Sequence, residues 1–307
     1  MKQLRTLTEM LQYARTVGPM TISVACAADA DVLEAVEAAR KSGVANAILV
    51  GDAGKIAEAA RGKDVDLSKF EIADEKGGEA DAALKAAEIV SGGKAQILMK
   101  GMLHTDNFLR GVLNKEKGLR SGGVISHIYF HEIEGFDRII FITDAAFIPY
   151  PDLATKAKII DNAAKLARSF GVETPKVAVL AAVEVVNPDM PATLDAAALA
   201  QMNRRGQIKG CIVDGPLALD NAVSEESARH KGIVSEVAGK ADILVTPNIE
   251  GGNMLAKSIV YFAPSKTAGV VMGAKAPIVL TSRADTAEAK MFSIAAAVVW
   301  AAYQKGR

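Results

Sequence analysis

Thr21-Ile22-Ser23-Val24-Ala25-Cys26 is an apolar run rich in β-branched residues, and its place in an alternating pattern decides the fold. A helical pattern over 31–42 comes next, then Ala47-Ile48-Leu49-Val50, then a second helical pattern over 53–61. Strand-like runs with no polar face, separated by helix-length segments, mark β-α-β units whose parallel strands are covered on both sides. The alternation predicts an α/β fold.

Outward from this stretch the same rhythm continues. A helix is expected over 79–90, a strand over 95–99 and a helix over 105–113, the last opening on Thr105 and Asp106, both good capping residues. From Gly122 the pattern restarts with strands over 124–130 and 138–143, close enough to call for antiparallel pairing. Helix 153–170, strand 176–182, helix 192–204, strands 211–213 and 243–246 and helix 253–262 come after these. Strands over 269–272 and 277–281 and an Ala-rich helix over 283–303 have the character of the first unit, so the chain is expected to return to its first domain.

The 307 residues suit two domains at roughly 150 residues each. Half are hydrophobic but only 5% are aromatic, so the core must be aliphatic, as α/β layers are. Lys and Arg total 36, Asp and Glu total 36, and this balance leaves no net field for nucleic acid or an anionic membrane. Any anion site must be local. Cys26 and Cys211 are far apart and sit in apolar runs, which argues against a disulfide and against a metal site. The N-terminal stretch carries Arg5, Glu9 and Arg15 and has no unbroken apolar signal core, so a cytoplasmic location is expected. The longest uncharged apolar run, 291–304, falls short of the ~18 to 20 residues of a membrane span and reads as a buried helix.

Chemistry concentrates where apolar strands run into helices. Pro277-Ile278-Val279-Leu280-Thr281 leads directly into Ser282-Arg283-Ala284-Asp285. Such junctions attract anions, and Arg283 adds a forked donor for phosphate or carboxylate. The competing reading is a capping box, with Ser282 and Asp285 satisfying the first amides of the helix. Arg283 weighs against it, because an arginine in a first helical turn opposes the dipole unless an anion is near.

Lys100-Gly101-Met102-Leu103-His104-Thr105-Asp106 also ends a strand, with Arg110 one turn into the next helix. Lys100, Thr105 and Arg110 are candidates to converge on one anion, although Asp106 and Arg110 at i and i+4 are equally placed to pair with each other. Asn248-Ile249-Glu250-Gly251-Gly252-Asn253 opens a helix bearing Lys257, and its glycines either admit a ligand or punctuate a turn. Asp214-Gly215-Pro216 carries the same two readings. Gly51-Asp52-Ala53-Gly54-Lys55 has too few residues between its glycines for a phosphate loop, and no GxGxxG, GxSxG or HExxH pattern occurs.

Together these stretches resemble the phosphate acetyl/butyryl transferase family, with the shape of its short butyryl-type branch. The resemblance rests on Lys100 to Met102 with Thr105 and Arg110, on Val213 to Pro216 with Asp220, on Ala238 to Asp242 through Asn248, Gly252, Asn253 and Lys257, and on Thr281-Ser282-Arg283. It implies two three-layer αβα domains with a cleft between them, similar to the isocitrate and isopropylmalate dehydrogenases. The first domain would comprise 1–119 plus 271–307, with 120–270 inserted.

The implied reaction is a reversible exchange of acyl-CoA and phosphate with acyl phosphate and coenzyme A, in which the coenzyme A thiolate attacks the acyl-phosphate carbonyl directly and inorganic phosphate leaves, with no acyl-enzyme. Coenzyme A is then a substrate, with no bound cofactor and no metal, and a homodimer or larger homo-oligomer is expected. By resemblance, Ser282 would bond the developing oxyanion or the thiol, Arg283 and Arg110 would hold phosphate, and Lys100 and Thr105 would assist. Asn253, Lys257, Gly252 and Asp214 would belong to coenzyme A or the cleft. The acetyl branch carries an aspartate seven residues after the motif serine, where this chain has Ala289, which leaves Asp285 and Glu288 as candidate bases. Two rival readings are a nicotinamide- and metal-dependent hydroxy-acid dehydrogenase on the same fold, and a non-catalytic phosphate or coenzyme A binding protein.

Overall fold

The computed structural model describes residues 2–281 and 285–306, and the chain forms two compact units. One comprises Thr8–Gly123 with Ala268–Arg307, and the other Val124–Thr267 with Met1–Leu7. The N-terminal residues thus go with the inserted segment, although their position in the chain suggests the first domain. Leu4 N donates to Phe170 O at 2.8 Å, and Leu7 N donates to a Glu132 carboxylate oxygen at 2.7 Å.

The discontinuous unit starts with α1 (Leu7–Val17), β1 (Met20–Ala25), α2 (Ala30–Lys41), β2 (Ala45–Gly51), α3 (Ala53–Ala59), β3 (Glu71–Asp74), α4 (Glu79–Ser91), β4 (Ile97–Lys100) and α5 (Thr105–Val112). The inserted unit holds β5 (Ser126–Ile133), β6 (Ile140–Thr143), α6 (Leu153–Ser169), β7 (Lys176–Leu180), α7 (Pro191–Arg204), β8 (Ile212–Leu217), α8 (Leu219–Val223), α9 (Glu225–His230), β9 (Ile243–Val245) and α10 (Ile249–Phe262). The chain returns through β10 (Ser265–Met272) to β11 (Ile278–Val279) and α11 (Ala287–Lys305).

In the discontinuous unit the strand order is β3-β2-β1-β4-β11-β10, parallel through β11 and antiparallel between β11 and β10. In the inserted unit the order is β5-β6-β9-β7-β8, where β5 and β6 are antiparallel, as their close spacing calls for, and the rest are parallel. β1, β2, β4, β6 and β7 are buried along nearly their whole length, which is why they read as continuous apolar runs.

Local chemistry sets the helix ends. Asp29 caps α2 by accepting from Val32 N at 2.9 Å, and Val32, Val36 and Ala39 then fall on one buried face at helical spacing. α11 begins at Ala287, four residues later than expected, because Thr286 is its cap and accepts from Ala289 N at 3.1 Å. Residues 292–301 of α11 are buried throughout, the Ala-rich stretch that the sequence marks as a core helix. Among the described residues no helix is long and apolar enough to cross a membrane.

α4 and α5 pack through small residues. A Cβ at Gly111 would lie 2.7 Å from Ala83 C and 2.8 Å from Ala83 O, so the two backbones meet with no room for a methyl group. Gly111→Ala is expected to destabilise the fold by about 1 to 3 kcal/mol through forced separation of these helices. Chemical denaturation checks this, and an unchanged midpoint would refute the packing argument.

Candidate active site

β1, β4 and β11 are parallel neighbours, with Ala25 opposite Lys100 and Val279 opposite Met99. Their C-terminal ends therefore bring Cys26, Lys100 and Thr281 to one edge of the sheet. Ligands of open α/β sheets bind outside that edge. The turn after β4 folds back on the end of β1: Gly101 N donates to Ala25 O at 2.8 Å and Met102 N to Cys26 O at 2.9 Å. Gly101 permits this, since a Cβ there would press on the carbonyl oxygens of Cys26 and Ala25.

A cavity of about 90 Å³ opens at this edge, lined by Asp29, Asp31, Lys100, Met102, Thr281 and Lys290. Two of its lining groups are buried ammonium side chains, with Lys100 6% and Lys290 3% exposed. Lys100 Nζ is 3.4 Å from Gly101 O, and Lys290 Nζ donates to Asp285 O at 2.6 Å. Met102 also borders a second cavity, of about 310 Å³, that reaches Cys26, Gly51 and Glu79. Burial pushes the Cys26 thiol up to about 11, and does the same to Cys211, so neither is ionised near neutral pH and neither suits a covalent acyl carrier.

α5 is capped from another helix rather than by its own first residues. His104 is the cap residue and makes no side-chain cap bond, and Thr105 and Asp106 are exposed within the first turn. The Glu79 carboxylate takes the role instead, accepting from His104 N at 2.9 Å, from Asn107 Nδ2 at 2.8 Å and lying 3.0 Å from His104 Nδ1. The Asn107 bond, followed by the His104 amide, holds Glu79 down at about 2. Arg110 is exposed on the same helix, and among the described residues it has no ion pair, so the alternative pairing with Asp106 is not made.

Ser282 and Arg283 lie outside the described residues. Their neighbours are placed: β11 ends at Val279, short of the strand expected to reach 281, and Thr281 is buried two residues beyond it, while Asp285 is half-buried and Glu288 is exposed in the first turn of α11. Because Thr286 caps α11, the Ser282–Asp285 capping box expected as the competing reading is not the start of that helix.

In the inserted unit, Gly252 and Asn253 serve the turn after β6. Asn253 Nδ2 donates to Ala145 O at 3.1 Å, and a Cβ at Gly252 would strike Asp144 O. Lys257 is exposed further along α10. Asp214 is tied to Ser235, whose hydroxyl donates to it and accepts from Val237 N and Ala238 N at 3.0 and 3.1 Å.

Sequence reasoning missed Asp144, which comes after an apolar strand with no motif around it. Its carboxylate accepts from Ala146 N at 2.8 Å and Phe147 N at 3.0 Å, yet burial raises it from 3.8 to about 6. A folded value above the unfolded one means that the fold favours the protonated carboxyl. Stability is therefore fully present below the ordinary value and declines as pH rises from 3.8 through about 6. Asp144→Asn keeps an acceptor for these two amides but turns an NH2 toward His127 N, which donates to the second carboxylate oxygen at 3.3 Å, so it should flatten this decline at a constant offset in stability. Urea unfolding across that range checks it, and parallel curves for both proteins would count against the burial argument.

Lys100 at the C-terminal end of β4 and Lys290 in the first turn of α11 place two buried ammonium groups beside one cavity of an α/β fold. The sequence matches the phosphate acetyl/butaryl transferase family over residues 6–83 and 76–298. A phosphate butyryltransferase of Clostridium acetobutylicum is 52% identical over 296 residues, covering 96% of this chain and 98% of that protein. A phosphate acetyltransferase of Thermotoga maritima is 44% identical over 295 residues, covering 96% and 99%. The crystal structure of a branched-chain phosphotransacylase from Enterococcus faecalis V583 superposes with a TM-score of 0.81 at 32% identity, covering 92% of this chain and 99% of that one. The chain belongs to the phosphate acetyl/butyryl transferase family, whose named members are acyltransferases.

Proposed function

We propose that the protein reversibly transfers a short acyl group, butyryl in preference to acetyl, between coenzyme A and inorganic phosphate. The observation that carries this reading is the meeting of the Lys100-Gly101-Met102 turn and Thr281 at adjacent strand ends, with two buried ammonium groups in the cavity between them. The greater identity to a butyryltransferase than to an acetyltransferase, 52% against 44%, supports the longer chain.

In the forward direction the coenzyme A thiolate attacks the carbonyl carbon of the acyl phosphate. The tetrahedral oxyanion collapses, the carbon–oxygen bond to phosphate breaks, and phosphate leaves with its electron pair. A thiol with a pKa near ~8.5 is mostly protonated at neutral pH, so positive charge near the sulfur favours the reactive form. Lys100, Arg110 and Arg283 would hold the phosphoryl oxygens with Thr105 beside them, and Ser282 would donate to the oxyanion. Asp285 and Glu288 stay the candidates for proton removal. Asn253, Lys257, Gly252 and Asp214 would bind coenzyme A or line the cleft. Fixed donors aimed at developing charge supply most of such a rate enhancement.

The reading extends to a cytoplasmic homo-oligomer that takes coenzyme A as substrate and needs no resident cofactor. A nicotinamide-dependent oxidation has no observation in its favour. The test is release of free thiol from butyryl-CoA, and from acetyl, propionyl and longer esters, on adding phosphate. Absence of release with every chain length would sink the proposal, and fastest turnover of acetyl-CoA would overturn the butyryl preference.

A further inference from the structure

The strand order reverses at β1: the chain runs outward from it through β2 to β3, then crosses to β4 on its other side. In open α/β sheets the crevice outside the strand ends at such a reversal is where ligands sit. Two cavities flank it here. The cationic one lies toward β11, with Thr281 in its wall, and the wider one, of about 310 Å³, lies toward β2, with Gly51 in its wall. Met102 borders both, and every residue lining the wider cavity is described and belongs to the discontinuous unit.

The wider cavity is open because its walls are built from small residues. Gly51 and Ala82 are buried, Cys26 and Ala28 are half-buried, and all four side chains are short or absent. Burial keeps the Cys26 thiol protonated, so it presents a small apolar surface rather than a charge. The acidic residues in the wall are committed to backbone amides: Asp52 accepts from Lys55 N at 3.0 Å, Glu75 from Gly77 N at 2.9 Å and Glu79 from His104 N at 2.9 Å. Lys55 and Lys76 are exposed, at the solvent side. Away from that side the wall is carbon and sulfur, the lining that ligand pockets give to an apolar group.

An acyl phosphate has an anionic head and an apolar tail, and a cationic cavity beside a neutral one offers a place for each. We propose that the cavity walled by Cys26, Ala28, Ala82 and Met102 receives the acyl chain and selects its length. The assignment rests on the acyl-transfer reading above and adds to it the residues that choose the substrate. A butyryl chain fills the inner part of the cavity, and an acetyl group leaves those walls uncovered. One methylene in an apolar pocket discriminates by about 10- to 200-fold, so small walls at these positions are enough to set a preference.

The test is kcat/KM for phosphate-dependent thiol release from acetyl-, butyryl- and hexanoyl-CoA, measured for the wild type, Ala28→Leu, Ala28→Val and Met102→Ala. Ala28→Leu fills the cavity, and should lower the value for butyryl-CoA by about 10- to 200-fold while that for acetyl-CoA stays within about threefold of wild type. Ala28→Val should shift the ratio the same way by less. Met102 is 43% exposed, so its truncation disturbs little packing. Met102→Ala widens the cavity and should raise hexanoyl-CoA relative to butyryl-CoA by about tenfold. Thermal unfolding of each variant verifies that it is folded at the assay temperature, and if Ala28→Leu is not, the two milder variants carry the comparison.

An equal loss for all three esters would mean that the cavity holds a part of coenzyme A common to them, and unchanged ratios would mean that the chain lies elsewhere. Either result overturns the acyl pocket. The wild-type arm separates this inference from the one beneath it. A wild type that turns over none of the esters removes the acyl-transfer reading itself, whereas an active wild type beside variants with unshifted ratios removes only the pocket.

Discussion

Arg283→Ala is expected to cut kcat/KM for phosphate-dependent acyl-CoA turnover by about 30- to 1000-fold, equivalent to about 2 to 4 kcal/mol of transition-state binding. The magnitude is that of removing one charged donor from a water-poor site. The alternative explanation of this stretch is local, a serine and an aspartate capping the next helix, and the observed cap at Thr286 supplies a control. Thr286→Ala should lower stability by about 1 kcal/mol and leave the chemistry nearly intact. If Arg283→Ala lost only stability and no rate, the stretch would be structural after all. Steady-state kinetics with phosphate varied, beside thermal unfolding of both variants, distinguish the two.

The fold is readable where burial imposes a pattern. β1, β2 and β4 are covered on both faces and so are uninterrupted apolar runs, and a run of that kind has few other interpretations. β3 escapes notice because Glu71 and Asp74 at its two ends are exposed at the sheet's edge, which leaves a strand without a strand's periodicity. The start of α11 is easily misplaced because Ser282 and Thr286 are both good capping residues four positions apart, and only the hydrogen bond to Ala289 decides between them.

The candidate site is legible as a set of strand ends, since the order of strands along an α/β sheet forces certain loops together. The ties that give individual residues their roles are not. Glu79 caps a helix that starts 26 residues later, Asn253 holds a carbonyl 108 residues away, and Asp214 is bonded to Ser235. Contacts over such separations leave no local spacing to read. Lys290 is the clearest instance: in sequence it is one charge on an Ala-rich helix, and only its burial against Asp285 marks it out.

Gly101→Ala is expected to be the more damaging of the two substitutions for the protein as a whole. The turn after β4 lies so close to the end of β1 that a methyl group would sit 2.5 Å from Ala25 O and 2.9 Å from Cys26 C, and nearer still to Cys26 O. Those atoms are backbone and cannot swing aside. Either the turn lifts away, losing the bonds from Gly101 N and Met102 N, or β1 and β4 shift against each other. Each route costs about 1 to 3 kcal/mol of stability. Each also moves Lys100, the residue next to it, relative to Thr281, two residues past the neighbouring strand β11. If Lys100 holds the phosphate as proposed, its displacement by an ångström lowers turnover about 100-fold, and activity should fall further than the loss of folded protein explains. Turnover per folded molecule, measured well below the unfolding transition, isolates that component. A Gly101→Ala protein that melts early but turns over normally when folded would show that Lys100 tolerates the shift, and would take it out of the phosphate site.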